Sequence, residues 1–307
     1  MTTRKRRPSI GEKAIDTIRD AERNVEHVLT CMWDDLQAWQ QDNHYIISGY
    51  RPATFSFKKS FASIYYFHNE SVNIYTHLLG SVSSILLGLY LYSGIHQRYP
   101  TSTRSDILAF TTFFLSASTC LGLSATYHTI SNHSHPIAKL GNQLDYLGII
   151  ILIVGSFLPT VYYGFLCHPH LIWAYSLMIL SLGALCATVT VLPRFRTPKF
   201  RPFRAGMFVC LGGSGVIPVL HGISLAGFRP VYHRMGLPWV VIQGGLYVVG
   251  AAVYAARIPE RFWPGRFDLV GSSHQIFHCF VVAAVLAQSK GLGMAFDWRH
   301  KGGDRCG

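Results

Sequence analysis

Seven stretches of this 307-residue chain are long enough to cross a bilayer and nearly free of charge, at about residues 72–95, 107–129, 142–165, 171–192, 205–225, 237–256 and 271–289. In hydrocarbon every backbone N–H and C=O has to be satisfied inside the protein, so seven such runs dictate helices packed on one another. The expected fold is an all-α membrane protein, a seven-transmembrane helix bundle. Half of the residues are hydrophobic and 14% are charged, which sets the chain apart from ordinary soluble domains. Short joins leave no room for a separate soluble domain between the spans, and no internal repeat is visible. Pro159 and Pro218 fall inside the third and fifth runs, where kinks are expected.

A net charge of +12 invites a nucleic-acid reading, but the basic residues cluster at the N-terminus and between apolar runs. That is the pattern of an inside-positive membrane protein, and no nucleic-acid partner is expected. With the N-terminus inside, 19 of the 27 Lys and Arg fall on the inner side. The C-terminus is then extracellular or lumenal, in the plasma membrane or the endoplasmic reticulum. No apolar core follows the basic residues Arg4 to Arg7, so no secretory signal is read. Residues 14–39 repeat apolar side chains at helical spacing yet are too polar to span, which predicts a cytosolic N-terminal amphipathic helix. The expected organisation is a cytosolic segment at 1–70, the bundle at 71–290 and a short extracytosolic tail at 291–307. Seven scattered cysteines read as reduced packing residues.

The chemistry concentrates at the start of the seventh run. His274 and His278 are four apart, so on a helix both imidazoles face one way and can reach one metal ion. Inside a bilayer an imidazole needs a partner. Odd-numbered spans begin on the inner side and even-numbered spans end there, which brings three further groups to the same depth. The second span ends with Ser124 and His128, the third begins with Asp145, and the first begins with Glu70, Asn73 and His77. The expected site is zinc held by His128, His274 and His278, with a water completing the four-coordinate shell. Asp145 suits two roles, a base beside that water or a cap on the third helix, and Ser124 would hydrogen-bond next to it. Glu70, Asn73 and His77 read as a polar stripe between helices rather than as ligands. His221 reads as a hydrogen-bonded interior residue.

With those residues named, the sequence resembles the progestin and adipoQ receptor (PAQR) family, which includes adiponectin receptors and haemolysin III. The resemblance runs from about Asp42 to Lys290. It rests on Glu70-Ser-Val-Asn73-Ile-Tyr-Thr-His77, Ser124-x-x-x-His128, Leu144-Asp145-Tyr146, Gly155-Ser-Phe-Leu-Pro159 and His274-Gln-Ile-Phe-His278. Arg204-Ala-Gly206 and the run from Ile258 to Arg266 look most like the adiponectin-receptor and fungal branch. The resemblance implies seven helices with a cytosolic N-terminus, opposite in orientation to G-protein-coupled receptors. It also implies zinc on His128, His274 and His278 with Asp145 beside the water. Adiponectin receptors are linked to ceramide hydrolysis, and fungal relatives to zinc and lipid homeostasis. The first forty residues depart from the family pattern.

The expected activity is therefore hydrolysis of a membrane lipid amide such as ceramide, with Asp145 moving the proton to the leaving amine. The competing expectation is a receptor whose zinc is structural, with an extracellular protein ligand as its partner. Haem ligation by the same histidines is a third, disfavoured by the neighbouring Asp145.

Overall fold

The computed structural model of the chain describes residues 29–196 and 200–302. Seven helices in it are long and apolar enough to cross a membrane. A short helix α1 (Phe57–Ala62) precedes them. Spans one to four are α2 (Ser71–Arg98), α3 (Arg104–Ile130), α4 (His135–Gly164) and α5 (Pro169–Val191). Span five is divided into α6 (Arg201–Gly213) and α7 (Val216–Ala226), and α8 (Phe228–Arg234) lies across its end. Spans six and seven are α9 (Leu237–Ala256) and α10 (Ser273–His300). Among the described residues no strand forms, and the one β-bridge pairs Cys31 with Tyr50.

The most enclosed spans are α3 and α10, whereas α9 turns most of its surface outward. Outward-facing Leu79, Leu86, Leu177, Val241 and Val248 are exposed, as side chains bathed in lipid should be. Phe113, Leu121, Tyr163 and Leu292 are fully buried between spans two, three and seven. Exposed Phe55, Phe57, Phe61, Tyr65 and Phe67 flank Lys58 and Lys59 around α1, the composition of a membrane–water interface.

Helix ends are held by buried polar side chains. Thr103 and Asp106 form a reciprocal capping box at the start of α3. Asp106 is fully buried and also accepts from Arg299 at 2.9 Å, from the Tyr163 hydroxyl at 3.0 Å and pairs with His300 at 3.2 Å. Spans two, three and seven are thereby tied at one end of the bundle. At the other end, buried Glu260 accepts from the Ser273 amide at 2.8 Å and from the Ser273 hydroxyl, capping α10 with a carboxylate. Gln275 donates to the carbonyls of Asn69 and Leu269 at 3.0 Å each and accepts from the Gly271 amide. The first turn of α10 is thus fixed on three sides, and that turn carries His274.

Four expectations change. Residues 14–28 of the predicted amphipathic helix lie outside the described residues, and residues 30–39 are not continuous helix. Their backbone pairs with the chain at 47–50 instead, through Cys31 N to Tyr50 O at 2.7 Å and Trp33 N to Ile47 O at 2.9 Å. Pro159 sits inside an unbroken α4, while the break in span five falls at Ser214 and Gly215 rather than at Pro218. Ser214 is the residue whose carbonyl the Pro218 ring would strike in a continuous helix, so the break lies one turn upstream. The seventh span continues to His300, because Arg299 and His300 are needed at Asp106. Finally, Cys167 is disulfide-bonded rather than reduced, and it lies beyond the end of α4 at the Asp106 end of the bundle. Cys31, Cys120, Cys186, Cys210 and Cys279 are free thiols.

Gly236 marks a close backbone-to-backbone approach between two spans. Its φ is +59°, and a Cβ there would lie 2.4 Å from the Gly291 carbonyl oxygen on α10. Gly236→Ala must therefore both strain the backbone and push spans six and seven apart. The expected outcome is a loss of about 2–4 kcal/mol, read as a lower unfolding temperature and a lower monodisperse yield in detergent.

Candidate metal centre

His128 sits in the last turn of α3, and His274 and His278 in the first two turns of α10. Their ligand atoms all lie within 4.8 Å of one another. Ring centroids are 5.0 Å apart for His128 and His274, and 4.8 Å for each of the other two pairs. Interplanar angles of 67°, 73° and 45° rule out a stack; the three rings surround a common point.

Hydrogen bonds at the far side of two rings set which nitrogen faces that point. His128 Nδ1 donates to Glu70 Oε2 at 2.7 Å, and His278 Nδ1 donates to the Asn73 carbonyl at 3.2 Å. Both rings then present an unprotonated Nε2 inward. His128 Nε2 lies 3.3 Å from His274 Nε2. Two nitrogens about 2.0–2.1 Å from a tetrahedral zinc ion are about 3.3–3.4 Å apart, so the spacing fits that ion. His128 and His278 are buried and His274 partly so. Three imidazole donors, two of them with the inward nitrogen set by a hydrogen bond from behind, and the His128–His274 spacing fit a zinc ion.

Glu70 immediately precedes α2 and also accepts from Asn73 Nδ2 at 2.6 Å. Burial opposes ionisation of its carboxyl, but His128 and Asn73 outweigh burial and hold it below the usual carboxylate range. Glu70 and Asn73, read from the sequence as an interhelical polar stripe rather than as ligands, are interhelical partners of two cluster histidines. Their signal was present in the shared face of Glu70, Asn73 and His77, but the partner depends on the register of α2 against α3. His77 lies flat on His278, with centroids 3.6 Å apart and planes within 12°.

Asp145 lies nearly three turns into α4, so it does not cap that helix, and it sits beside the Ser124 hydroxyl and His128. Ser124 is buried one turn before His128. The structure thus brings all five expected residues to one end of the bundle. Asp145 is not among the atoms that converge with the three histidines, and its place is beside the site. His221, expected as an interior residue, hydrogen-bonds Tyr175 at 2.6 Å, well away from the cluster in sequence and partners.

A further residue went unread. Arg51, 3% exposed, donates to the carbonyls of His128 at 2.5 Å and Thr129 at 2.9 Å, to Ser63 at 2.7 Å and to Ser131 at 3.1 Å. It satisfies the C-terminal carbonyls of α3 in the turn that carries a histidine of the cluster. Burial pulls its guanidinium down to about 10, so it stays charged at neutral pH. Nothing marks this Arg in the sequence, because its acceptors on α3 lie 77 to 80 residues away.

Comparison with known proteins agrees with this geometry. The chain is 41% identical over 268 residues to ADIPOR-like receptor IZH2 of Saccharomyces cerevisiae, covering 87% of this chain and 84% of that protein. It is 40% identical over 288 residues to the adiponectin receptor protein of Drosophila melanogaster, covering 92% of this chain but only 64% of the fly protein. Heptahelical transmembrane protein 1 of Arabidopsis thaliana is 34% identical over 297 residues, covering 95% and 88%. The haemolysin-III related family matches residues 65–289, every residue of the metal cluster included. A seven-helix membrane chain with this histidine cluster, this family match and these relatives belongs to the haemolysin-III related family of progestin and adipoQ receptors.

Proposed function

We propose that this adiponectin-receptor-like membrane protein is a zinc-dependent hydrolase of lipid amides, ceramide-like in substrate, acting in lipid and zinc homeostasis. The observation that carries the reading is the inward convergence of three imidazoles, two of them held from behind by Glu70 and the Asn73 backbone carbonyl. A zinc ion held by three imidazoles supplies Lewis acidity and an acidified water with a pKa near 7. Three protein ligands are the complement of catalytic sites, whereas structural sites are usually closed by four.

The remaining steps fall to the chain itself. Asp145, at the Ser124 side of the cluster, takes a proton from water and returns it to the departing amine. Ser124 holds the Asp145 carboxyl in place through its hydroxyl. Enclosure between spans excludes bulk water and strengthens each of these interactions. An apolar groove of about 410 Å³ between α2, α3 and α10 suits an acyl chain. Its inner end is lined by Thr76 and Cys279, the sequence neighbours of His77 and His278, and it runs outward to Leu87 and Ser289. Eleven residues of helix separate Thr76 from Leu87, a length of roughly 16 Å.

The reading places the metal end and residues 1–70 in the cytosol and the C-terminal tail outside. Two features support that orientation: the excess of Lys and Arg at the metal end, and the disulfide of Cys167 at the opposite end, which requires an oxidising compartment. A second reading, a receptor with a structural metal, draws on the word receptor in the names of the yeast and fly relatives. It also draws on the way one ion would join spans two and seven.

Asp145→Asn separates the two. The amide keeps the shape and a hydrogen bond to Ser124 but cannot take a proton, so zinc content and yield should stay near normal while lipid-amide hydrolysis falls by at least about 10²-fold. An unchanged rate would reduce Asp145 to a packing residue, and a fully zinc-loaded parent that cleaves no lipid amide would favour the receptor. Glu70→Gln should lower zinc affinity by about 10–100-fold in chelator competition without unfolding the bundle. Orientation is checked by Arg194→Cys and Lys301→Cys in a background lacking Cys210 and Cys279. An impermeant thiol reagent on intact cells should label only the second.

A further inference from the structure

Glu70, Asn73 and His77 are spaced three and four apart along the start of α2 and so share a face. Glu70 is used by His128, while the Asn73 amide nitrogen is used by Glu70 and its carbonyl by His278. What remains is unaccounted for. Both ring nitrogens of His77 and Oδ1 of Asn73 are buried without a hydrogen-bond partner, although the His278 backbone lies close to the ring. Each residue is 4% exposed, and the His77 ring lies flat on His278 at 3.6 Å. In a membrane interior such atoms are costly, and a Leu or Phe would fill the same space without the cost. Three of them beside a metal-binding ring point to a polar group received there.

We propose that His77 and Asn73 form a hydroxyl-binding subsite beside the metal centre, which reads the alcohol of an N-acyl amino alcohol. The inference rests on the lipid-amide reading for the identity of the ligand. A neutral imidazole offers one donor and one acceptor, and an amide oxygen offers acceptors only. A hydroxyl, which donates and accepts, satisfies that set. A carboxylate or phosphate accepts only, which leaves Asn73 Oδ1 facing oxygen, and it would stand near the Glu70 carboxylate. An ammonium donates only and leaves the His77 N–H unpaired.

Reach agrees with this assignment. Because His77 overlies His278, a group bonded to His77 lies roughly 4–6 Å from an ion bound through His278 Nε2. A hydroxyl on the second carbon of the amine half is four bonds from the amide carbonyl carbon, about 4–5 Å away when extended. The carbonyl can therefore face the metal while the alcohol reaches His77 and Asn73.

The test compares N-palmitoylethanolamine with N-palmitoylpropylamine, in which a methyl replaces the hydroxyl, on the zinc-loaded protein in nanodiscs. Affinity is measured by ligand-induced thermal shift, corrected for partition of each amide into empty nanodiscs, and turnover is measured in parallel. The parent should bind the hydroxylated amide at least about tenfold more tightly, the worth of one net hydrogen bond. His77→Phe, which keeps a flat ring against His278, should bring the ratio close to one with zinc content unchanged. Equal affinity in the parent overturns the subsite whether or not either amide is cleaved, and that comparison needs no variant to fold. A tenfold preference retained by zinc-replete His77→Phe overturns it as well. Equal affinity with cleavage of both amides leaves the hydrolase reading standing without the subsite. A clear preference with cleavage of neither leaves the subsite standing and removes the hydrolase.

Discussion

An imidazole inside a bilayer has to be hydrogen-bonded, coordinated or both, and the end of this bundle that carries the histidine cluster is arranged to meet that condition several times over. His128 is answered by Glu70 on one side and by the nitrogens of α10 on the other. His278 is answered by a backbone carbonyl of α2. Spans one, two and seven are therefore joined through a polar cluster rather than through apolar packing alone. If a metal binds there, its binding energy becomes part of the stability of the fold, because its ligands come from helices far apart in sequence.

The opposite end of the bundle solves the same problem without a metal. Asp106 is enclosed by an arginine, a histidine, a tyrosine and its own capping partner, so its charge is paired and every lone pair is used. The long α10 runs between the two polar clusters and carries Gln288 midway, whose amide donates to the Ser156 carbonyl and the Thr160 hydroxyl of α4. Such a helix cannot slide or rotate by a residue without breaking buried hydrogen bonds at three depths. That rigidity is what a cluster of rings spaced to within tenths of an ångström demands.

Much of this was legible in the chain. Spans are visible because hydrocarbon admits only runs that satisfy their own backbone, and the boundaries of α3, α4 and α9 fall within a turn or two of those read from hydropathy. That His128, His274, His278, Ser124 and Asp145 lie toward one end of the bundle follows from the parity of an odd and even count of crossings, and of these only the three histidines converge. What escaped were relations set by the register of one helix against another, which no local pattern encodes. Glu70 was read as part of an interhelical polar stripe, but its partner His128 on α3 is fixed only by packing. The N-terminal segment was read as helix as far as residue 39 on periodicity, yet its described part trades helical bonds for pairing with 47–50, a stretch itself held by the Asp268 carboxylate, which accepts from the amides of Ile47 and Ser48. Long-range pairing overrode local spacing there.

That segment explains how Arg51 is buried with no carboxylate among its hydrogen-bond acceptors, the Glu70 charge acting on it only from a distance. A guanidinium is costly to bury, and here the compensating charge is the partial negative charge of a helix C-terminus, delivered by two carbonyls and two hydroxyls. The arrangement is favourable only while the segment stays seated, held by Asp268, by Glu260 through Asn43 and by Arg257 on the Asp42 carbonyl. Unseating it would expose Arg51 to water and leave the last carbonyls of α3 unpaired in the very turn that presents His128. The segment around Arg51 and the histidine cluster are consequently one cooperative unit: the position of a ring inside the membrane depends on contacts made by the chain outside it.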